Sequence, residues 1–170
     1  AKLDEPVLKF HIDPDHQRII NQDQIINDTN TQIALSQMGQ SWSKPTITQV
    51  YWKGQLKRVM IVGGGYDARY ENLAYSHKAG EKGAGVYMFD AENGELLWWA
   101  SANAASSLQI DAMKYSVVSR INTADRNGDG LTDHLYFGDL GGQVWRIDFD
   151  ANLGASSNKG FARLIFKNPT

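Results

Sequence analysis

Cysteine is absent from the 170 residues of this chain. That excludes disulfides, thiolate metal sites and a cysteine nucleophile, while leaving the redox compartment open. Long hydrophobic runs are missing too: no apolar stretch approaches the ~20 residues that a helix needs to span a bilayer. Neither sign of charge dominates. Lys and Arg total 17 against 19 Asp and Glu, a formal net charge of -2, so no bulk field favours nucleic acid or an anionic membrane. Any acidic chemistry has to be local. The first residues, AKLDEPVLKF, lack a basic region followed by an apolar stretch and a small-residue cleavage site. The chain therefore reads as a mature protein or an excised piece of one, and a secreted parent is compatible with either.

What is present is globular in composition, with 42% hydrophobic and 21% charged residues. From about Ser41 onward the chain reads as short strands separated by turns. PTITQVYW (Pro45 to Trp52), LKRVMIVGGG (Leu56 to Gly65), VYMFD (Val86 to Asp90) and LLWWA (Leu96 to Ala100) form one set. Lys53-Gly54 ends the first strand, and Asn93-Gly94 marks a hairpin because both residues tolerate positive φ. A second set follows in the same order: YSVVSRI (Tyr115 to Ile121), HLYFGD (His134 to Asp139), VWRIDFDANLG (Val144 to Gly154) and FARLIF (Phe161 to Phe166). Tyr87 and Phe89 share one side of their strand, as do Trp145, Ile147 and Phe149. Four strands repeated at the spacing of a propeller blade predict an all-β fold of antiparallel four-stranded blades, about two of them, a partial β-propeller. The expected units are residues 41–104, with a long loop at 68–84, and residues 105–170. Residues 1–40 read as an irregular lead-in or the end of a preceding blade. Within them IINDTNTQIALSQMG predicts a short helix, with Asp28 or Thr29 as cap and Gly39 as stop.

The nonapeptide DRNGDGLTD (Asp125 to Asp133) carries the chemistry. Calcium takes six to eight oxygen ligands, and a tightly coiled loop supplies them from alternate positions. Asp125, Asn127 and Asp129 stand at positions one, three and five. Leu131 at seven offers its backbone carbonyl, Asp133 stands at nine, and Gly130 at six allows a sharp bend. Position twelve is Tyr136, not the bidentate glutamate of a helix-loop-helix hand, and both flanks read as strands. The expected site is a shortened loop inside a β-hairpin, completed by Asp133, with Ca2+ as the only cofactor. A solvated Asn/Asp/Gly turn is the simpler alternative, but a bare turn has no use for three mutually repelling carboxylates.

Other features carry less. In DAENGELLW (Asp90 to Trp98), Asp90 can bond the turn backbone, Gly94 can open the turn and Trp98 can wedge between blades. This spacing resembles the tryptophan-docking repeat of quinoprotein-type propellers, an architectural motif. Gly63-Gly64-Gly65 lacks the downstream Lys-Ser/Thr of a phosphate loop and reads as a strand end or bulge. HIDPDH (His11 to His16) reads as an exposed turn, with a transition-metal site the lesser alternative. Asp139 in GDLGG is expected to order the next turn, with an approach to the calcium loop the lesser alternative. No nucleophile elbow is visible and no catalytic residues are assigned.

Over Asn122 to Phe149 the sequence resembles the carboxy-terminal propeller of the PilY/PilC-type pilus-tip proteins. The resemblance rests on the acidic loop Asp125 to Asp133, the turn Gly138 to Gly142 and the strand Trp145 to Asp148. VGGGYD (Val62 to Asp67) and VYMFDAENGELLW are similar to that family's preceding blade. The resemblance implies a type IV pilus biogenesis factor and adhesin, exported to the cell surface or pilus tip. It implies that Ca2+ at Asp125, Asn127, Asp129, Leu131 and Asp133 governs pilus extension and withdrawal, hence twitching motility and attachment. Expected partners are pilus-tip components such as minor pilins, or a host or surface receptor, with no nucleic acid. No Arg-Gly-Asp tripeptide occurs, so integrin binding by that motif is not implied. Two blades cannot close a ring of the usual 4 to 8, so exposed faces require capping by the first forty residues or self-association. Two other readings are a fragment of a quinoprotein dehydrogenase, using calcium to polarise pyrroloquinoline quinone, and a purely structural calcium site in a secreted repeat protein.

Overall fold

The computed structural model describes residues 5–22, 24–74, 82–150, 153–155 and 159–168. Residues 75–81 of the expected 68–84 loop, and Ala151 and Asn152 of the strand read over Val144 to Gly154, lie outside the described residues. Among the described residues three sheets, antiparallel but for one short pairing, follow one another along the chain.

The lead-in is more ordered than its prolines suggest. Strands β1 (Phe10–Asp13), β2 (Arg18–Asn21) and β3 (Gln24–Ile26) form a meander. HIDPDH contributes β1 and an exposed turn, in which Gln17 N donates to Pro14 O and His16 Nδ1 lies 2.8 Å from Asp13 Oδ2. Helix α1 (Thr29–Ser36) follows, and Asp28 caps it by accepting from Thr31 N at 3.1 Å. Such a cap satisfies one of the amides that a helix start leaves unpaired.

The first blade contains β4 (Thr46–Trp52), β5 (Gln55–Gly63), β6 (Gly85–Asp90) and β7 (Leu96–Ser101), with a two-residue strand β8 (Leu108–Gln109) added parallel to β7. Between β4 and β5 only Lys53 and Gly54 turn the chain, at φ of 48° and 80°. Those values match the twist that a two-residue hairpin requires. Between β6 and β7 the chain turns differently from the expected Asn-Gly pair. Gly94 alone takes positive φ, at 79°, while Asn93 accepts from Glu95 N through its side chain at 2.9 Å. Asp90 orders this turn as its position suggests: Oδ1 accepts from Glu92 N and its carbonyl accepts from Gly94 N.

The second blade contains β9 (Asn122–Ala124), β10 (His134–Gly138), β11 (Gln143–Asp148) and β12 (Phe161–Lys167), in the order β12-β11-β10-β9. Its first strand departs from the sequence reading. YSVVSRI is not a strand, and only Asn122–Ala124 pairs with β10. The reason lies in where its backbone bonds go. Val117 N donates to Gly83 O at 2.8 Å, Val117 O accepts from Gly65 N at 3.1 Å, and Ser116 O accepts from Leu140 N. The segment is a buried crossing between blades, with apolar alternation that serves two neighbours at once.

Two cores result. One lies between the blades: Val59, Ile61, Met88 and Trp98 face Val117, Leu135, Trp145 and Ile147. Trp98 is 1% exposed, meets Phe149 edge-on at 5.4 Å and donates its Nε1–H to Lys159 O at 2.8 Å. It joins the two blades, as its place in the repeat suggests. The other core covers the far face of the first blade, where Tyr87, Phe89 and Trp99 pack on Ile19, Ala34 and Leu35 from the lead-in. The first blade is thus covered on both faces over β6 and β7, while Ile47, Tyr51 and Leu56 of its β4–β5 hairpin are exposed. The outer strand of the second is open, with Phe161, Leu164, Ile165 and Phe166 exposed.

Candidate metal centre

The acidic loop joins β9 to β10 and is tied down at its neck. Asp133 N donates to Ala124 O at 3.0 Å, closing the hairpin, and Phe149 N donates to Asp133 O at 2.7 Å. Buried Thr132 reaches the first blade. Its amide donates to Gln49 O at 2.9 Å, and its hydroxyl lies 2.7 Å from that of Thr48. Residues Asp125 to Gly130 beyond the neck are exposed.

Inside the loop each proposed side-chain ligand folds back on the backbone. Asp125 Oδ1 accepts from Gly128 N at 2.7 Å and Oδ2 from Gly130 N at 2.8 Å. Asn127 Oδ1 accepts from Asp129 N, Asp129 Oδ1 from Leu131 N, and Asp133 Oδ2 from Arg126 N. Asn127 Nδ2 donates to Asp129 Oδ2 at 2.9 Å. Side chains that accept from an amide two residues onward are a recurrent way of coiling a short loop. Gly128 and Gly130 hold φ of 79° and 84°, the left-handed region that side chains with a Cβ rarely adopt. The Gly130 and Gly128 amides hold the Asp125 carboxyl below its ordinary range, because both hydrogen bonds favour the ionised form.

The structure therefore brings Asp125, Asn127, Asp129, Leu131 and Asp133 onto one coiled loop. It does not gather three acidic or imidazole side chains into one metal-holding group among the described residues. The donors do fit a hard divalent cation in kind. All are oxygens, and a carboxylate oxygen that accepts one amide proton keeps a second lone pair.

Behind the loop lies a cluster that spacing did not single out. Asp148, at the end of β11, accepts from Arg146 Nη2 at 2.9 Å and Arg163 Nε at 3.3 Å through Oδ2. His134 Nδ1 and Arg146 Nε approach its Oδ1 at 2.8 and 2.7 Å, as ion-pair contacts without hydrogen-bond angles. Burial pushes the Asp148 carboxyl up, but the Arg146 guanidinium, then His134 and Arg163, outweigh it and hold the group below its usual range. With Arg126, Asn127 and Asp133 these residues line a cavity of about 510 Å3 beside the loop. The signal was present in the WRID strand, but β10 and β12 supply the remaining cations, and only the sheet brings them together. Asp139 proves to order its turn, accepting from Gly141 N, Gln143 N and Trp145 Nε1.

Comparison with known proteins bears on this geometry. The family model for the PilY1 beta-propeller domain matches residues 11–164. The type IV pilus biogenesis factor PilY1 of Pseudomonas aeruginosa strain UCBPP-PA14 is 27% identical over 120 residues, 69% of this chain and 8% of that protein. The factor of the same name from strain PAK is 25% identical over 114 residues, 67% of this chain and again 8% of the relative. The chain thus spans under a tenth of the length of these relatives. The crystal structure of the Pseudomonas aeruginosa PilY1 C-terminal domain aligns with a TM-score of 0.44 at 22% identity, covering 76% of this chain and 22% of that one. Since the family model runs through the lead-in meander and both blades, the chain belongs to the PilY1 β-propeller domain family.

Proposed function

We propose that this chain is a non-enzymatic, calcium-dependent binding module of a type IV pilus biogenesis factor. Asp125, Asn127, Asp129 and Asp133 are its side-chain ligands, and Leu131 gives its carbonyl. One observation carries the reading. Where the first blade joins its first two strands with Lys53-Gly54, the second spends nine residues, three of them aspartates, on the same connection. The first blade makes the same connection with two residues. When bound, calcium supplies positive charge that offsets clustered carboxylates and a preference for oxygen donors.

The chain's own residues do the rest. Asp125 gathers the Gly128 and Gly130 amides and so holds the coil of the loop. Thr132 passes the position of the loop to β4 through Gln49 and Thr48, and the Asp133 carbonyl passes it to Phe149. A loop pinned in this way presents Arg126 and the Asp148 cluster in one arrangement, a surface for pilus components such as minor pilins, or for a host or surface receptor. In the parent protein, exported to the cell surface or pilus tip, calcium occupancy then sets pilus extension against retraction, and with it twitching and adhesion.

Thermal melting during a calcium titration tests this. At a calcium concentration 100 times Kd, linkage stabilises by about 2.7 kcal/mol, a rise of roughly 5–10 °C for a chain of this size. Asp125→Ala and Asp133→Ala each abolish the rise. An unchanged rise in both variants overturns the ligand assignment. Normal pilus function in a loop variant that folds but no longer binds would leave the ion a structural role alone.

A further inference from the structure

On the side of the first blade that faces the lead-in, the Gly39–Gln40 segment pairs with Tyr66 and floors a cavity of about 800 Å3. That volume is in the range of small-ligand sites. The floor is rigid. Gln40 N donates to Tyr66 O and Tyr66 N to Gln40 O, both at 2.8 Å, and Gly39 N donates to Gly64 O. A Cβ on Gly39 would stand 2.3 Å from Tyr66 O, and one on Gly65 would stand 2.3 Å from Gln40 O. The two backbones meet as closely as backbones can.

An aromatic row stands at the rim. Trp42 follows the lining residue Ser41, is 66% exposed and rests on Tyr66 at 4.9 Å, and Tyr66 stacks on Tyr70 at 5.6 Å. A tryptophan left this open contributes little to a core, and its ring is large, rigid and amphipathic. The polar lining is of a particular kind. Asp67 is 3% exposed and already engaged by Arg69 and by Lys82 N at 2.9 Å. Among the described lining residues Asp15 and Asp67 offset Arg69 and Lys82, a formal charge of zero. The uncharged polar side chains among the described lining residues are Gln37, Gln40, Ser36, Ser41 and Tyr66. An amide side chain donates and accepts at one site.

We infer that this cavity and its aromatic rim bind a neutral saccharide, a pyranose resting its C–H face on Trp42 and bonding its hydroxyls to Gln37 and Gln40. A sugar hydroxyl both donates and accepts, which the glutamine amides answer and a lone cation or anion does not. Zero net charge gives sulfated, phosphorylated or sialylated ligands no advantage, and the ring face gives a free ion nothing to stack on. The cavity belongs to the first blade and lead-in, whereas the acidic loop belongs to the second blade, so the two readings stand or fall separately.

The test is retention of the intact chain on immobilised oligosaccharides: neutral hexose and N-acetylhexosamine members beside sialylated and sulfated ones. The expected result is retention of neutral members, a loss of tenfold or more in Trp42→Ala, partial recovery in Trp42→Tyr and a weaker loss in Gln40→Ala. Trp42→Ala should melt with the wild type, since the ring it removes is exposed, and Asp125→Ala should retain the glycans fully. Retention of acidic members only, no retention of any neutral member, or equal retention by Trp42→Ala and wild type would overturn the assignment.

Discussion

The two blades share a strand order and differ in what they do with it. In the first, Trp52 and Gln55 are paired across a two-residue turn, both faces of the sheet are covered over β6 and β7, and β6 is buried throughout. In the second, the matching connection is nine residues long and acidic, and the outer strand exposes Phe161, Leu164, Ile165 and Phe166. The residues that end the third strand diverge likewise. Among the described residues Asp90 pairs with Lys57, while Asp148 draws in His134, Arg146 and Arg163. The first blade is built for packing. The second carries charge and open surface that packing does not call for, which is where recognition residues are placed when a rigid scaffold is available to hold them.

Removing what joins the blades breaks this comparison most severely. Trp98→Ala deletes a side chain that is 1% exposed, along with its bond to Lys159 O. The expected cost is about 3–5 kcal/mol, from lost transfer energy and a cavity that the two sheets fill only in part. Denaturant melts of variant and wild type measure it, and a shift typical of a surface site would mean the blades do not share a core.

A smaller effect sharpens the contrast at the loop. If the nine residues serve an ion and not the fold, Asp129→Ala should leave the melting temperature without calcium unchanged to within about 2 °C while removing the calcium-dependent rise. A large loss without calcium would make the loop part of the scaffold.

The subtlest effect is acid sensitivity. Asp125 is lowered by the Gly130 and Gly128 amides. In Asp148, burial acts upward but Arg146, His134 and Arg163 prevail. Both folded values therefore lie below the ordinary 3.8. Stability from each is fully present above that value and is lost as pH falls through the lower folded one. Amide exchange should show the second blade's loop and β11 loosening below about pH 4, ahead of the β4–β5 hairpin. Simultaneous loosening would put the difference elsewhere.

Much of this molecule was legible in its residues. VYMFD and LLWWA, bounded by Gly and Asn-Gly, are strands because β-branched and aromatic runs suit a pleated, buried surface. The spacing of Asp125, Asn127, Asp129 and Asp133 marked the loop, since short-range bonds alone coil it. YSVVSRI misled because apolar alternation reports burial on one side and not which backbone answers the amides. The Val117 amide is answered by Gly83 O, while Gly65 N and Leu140 N donate to the Val117 and Ser116 carbonyls. Strand β8 was illegible because a two-residue parallel pairing depends on where β7 already lies. The Asp148 cluster and the Trp42–Tyr66–Tyr70 row were illegible for a related reason, since their members come from separate strands and segments.

By itself the sequence determined the all-β class, the order of the repeated strands apart from the one that opens the second set, and the acidic loop. Each is written in neighbouring residues, through side-chain alternation and turns closed by bonds between residues at most nine apart. Tertiary structure alone decided that the lead-in covers the first blade, that a strand-like segment becomes a crossing, and which charges surround Asp148. Those outcomes depend on groups far apart in the chain competing for the same buried space and the same backbone partners.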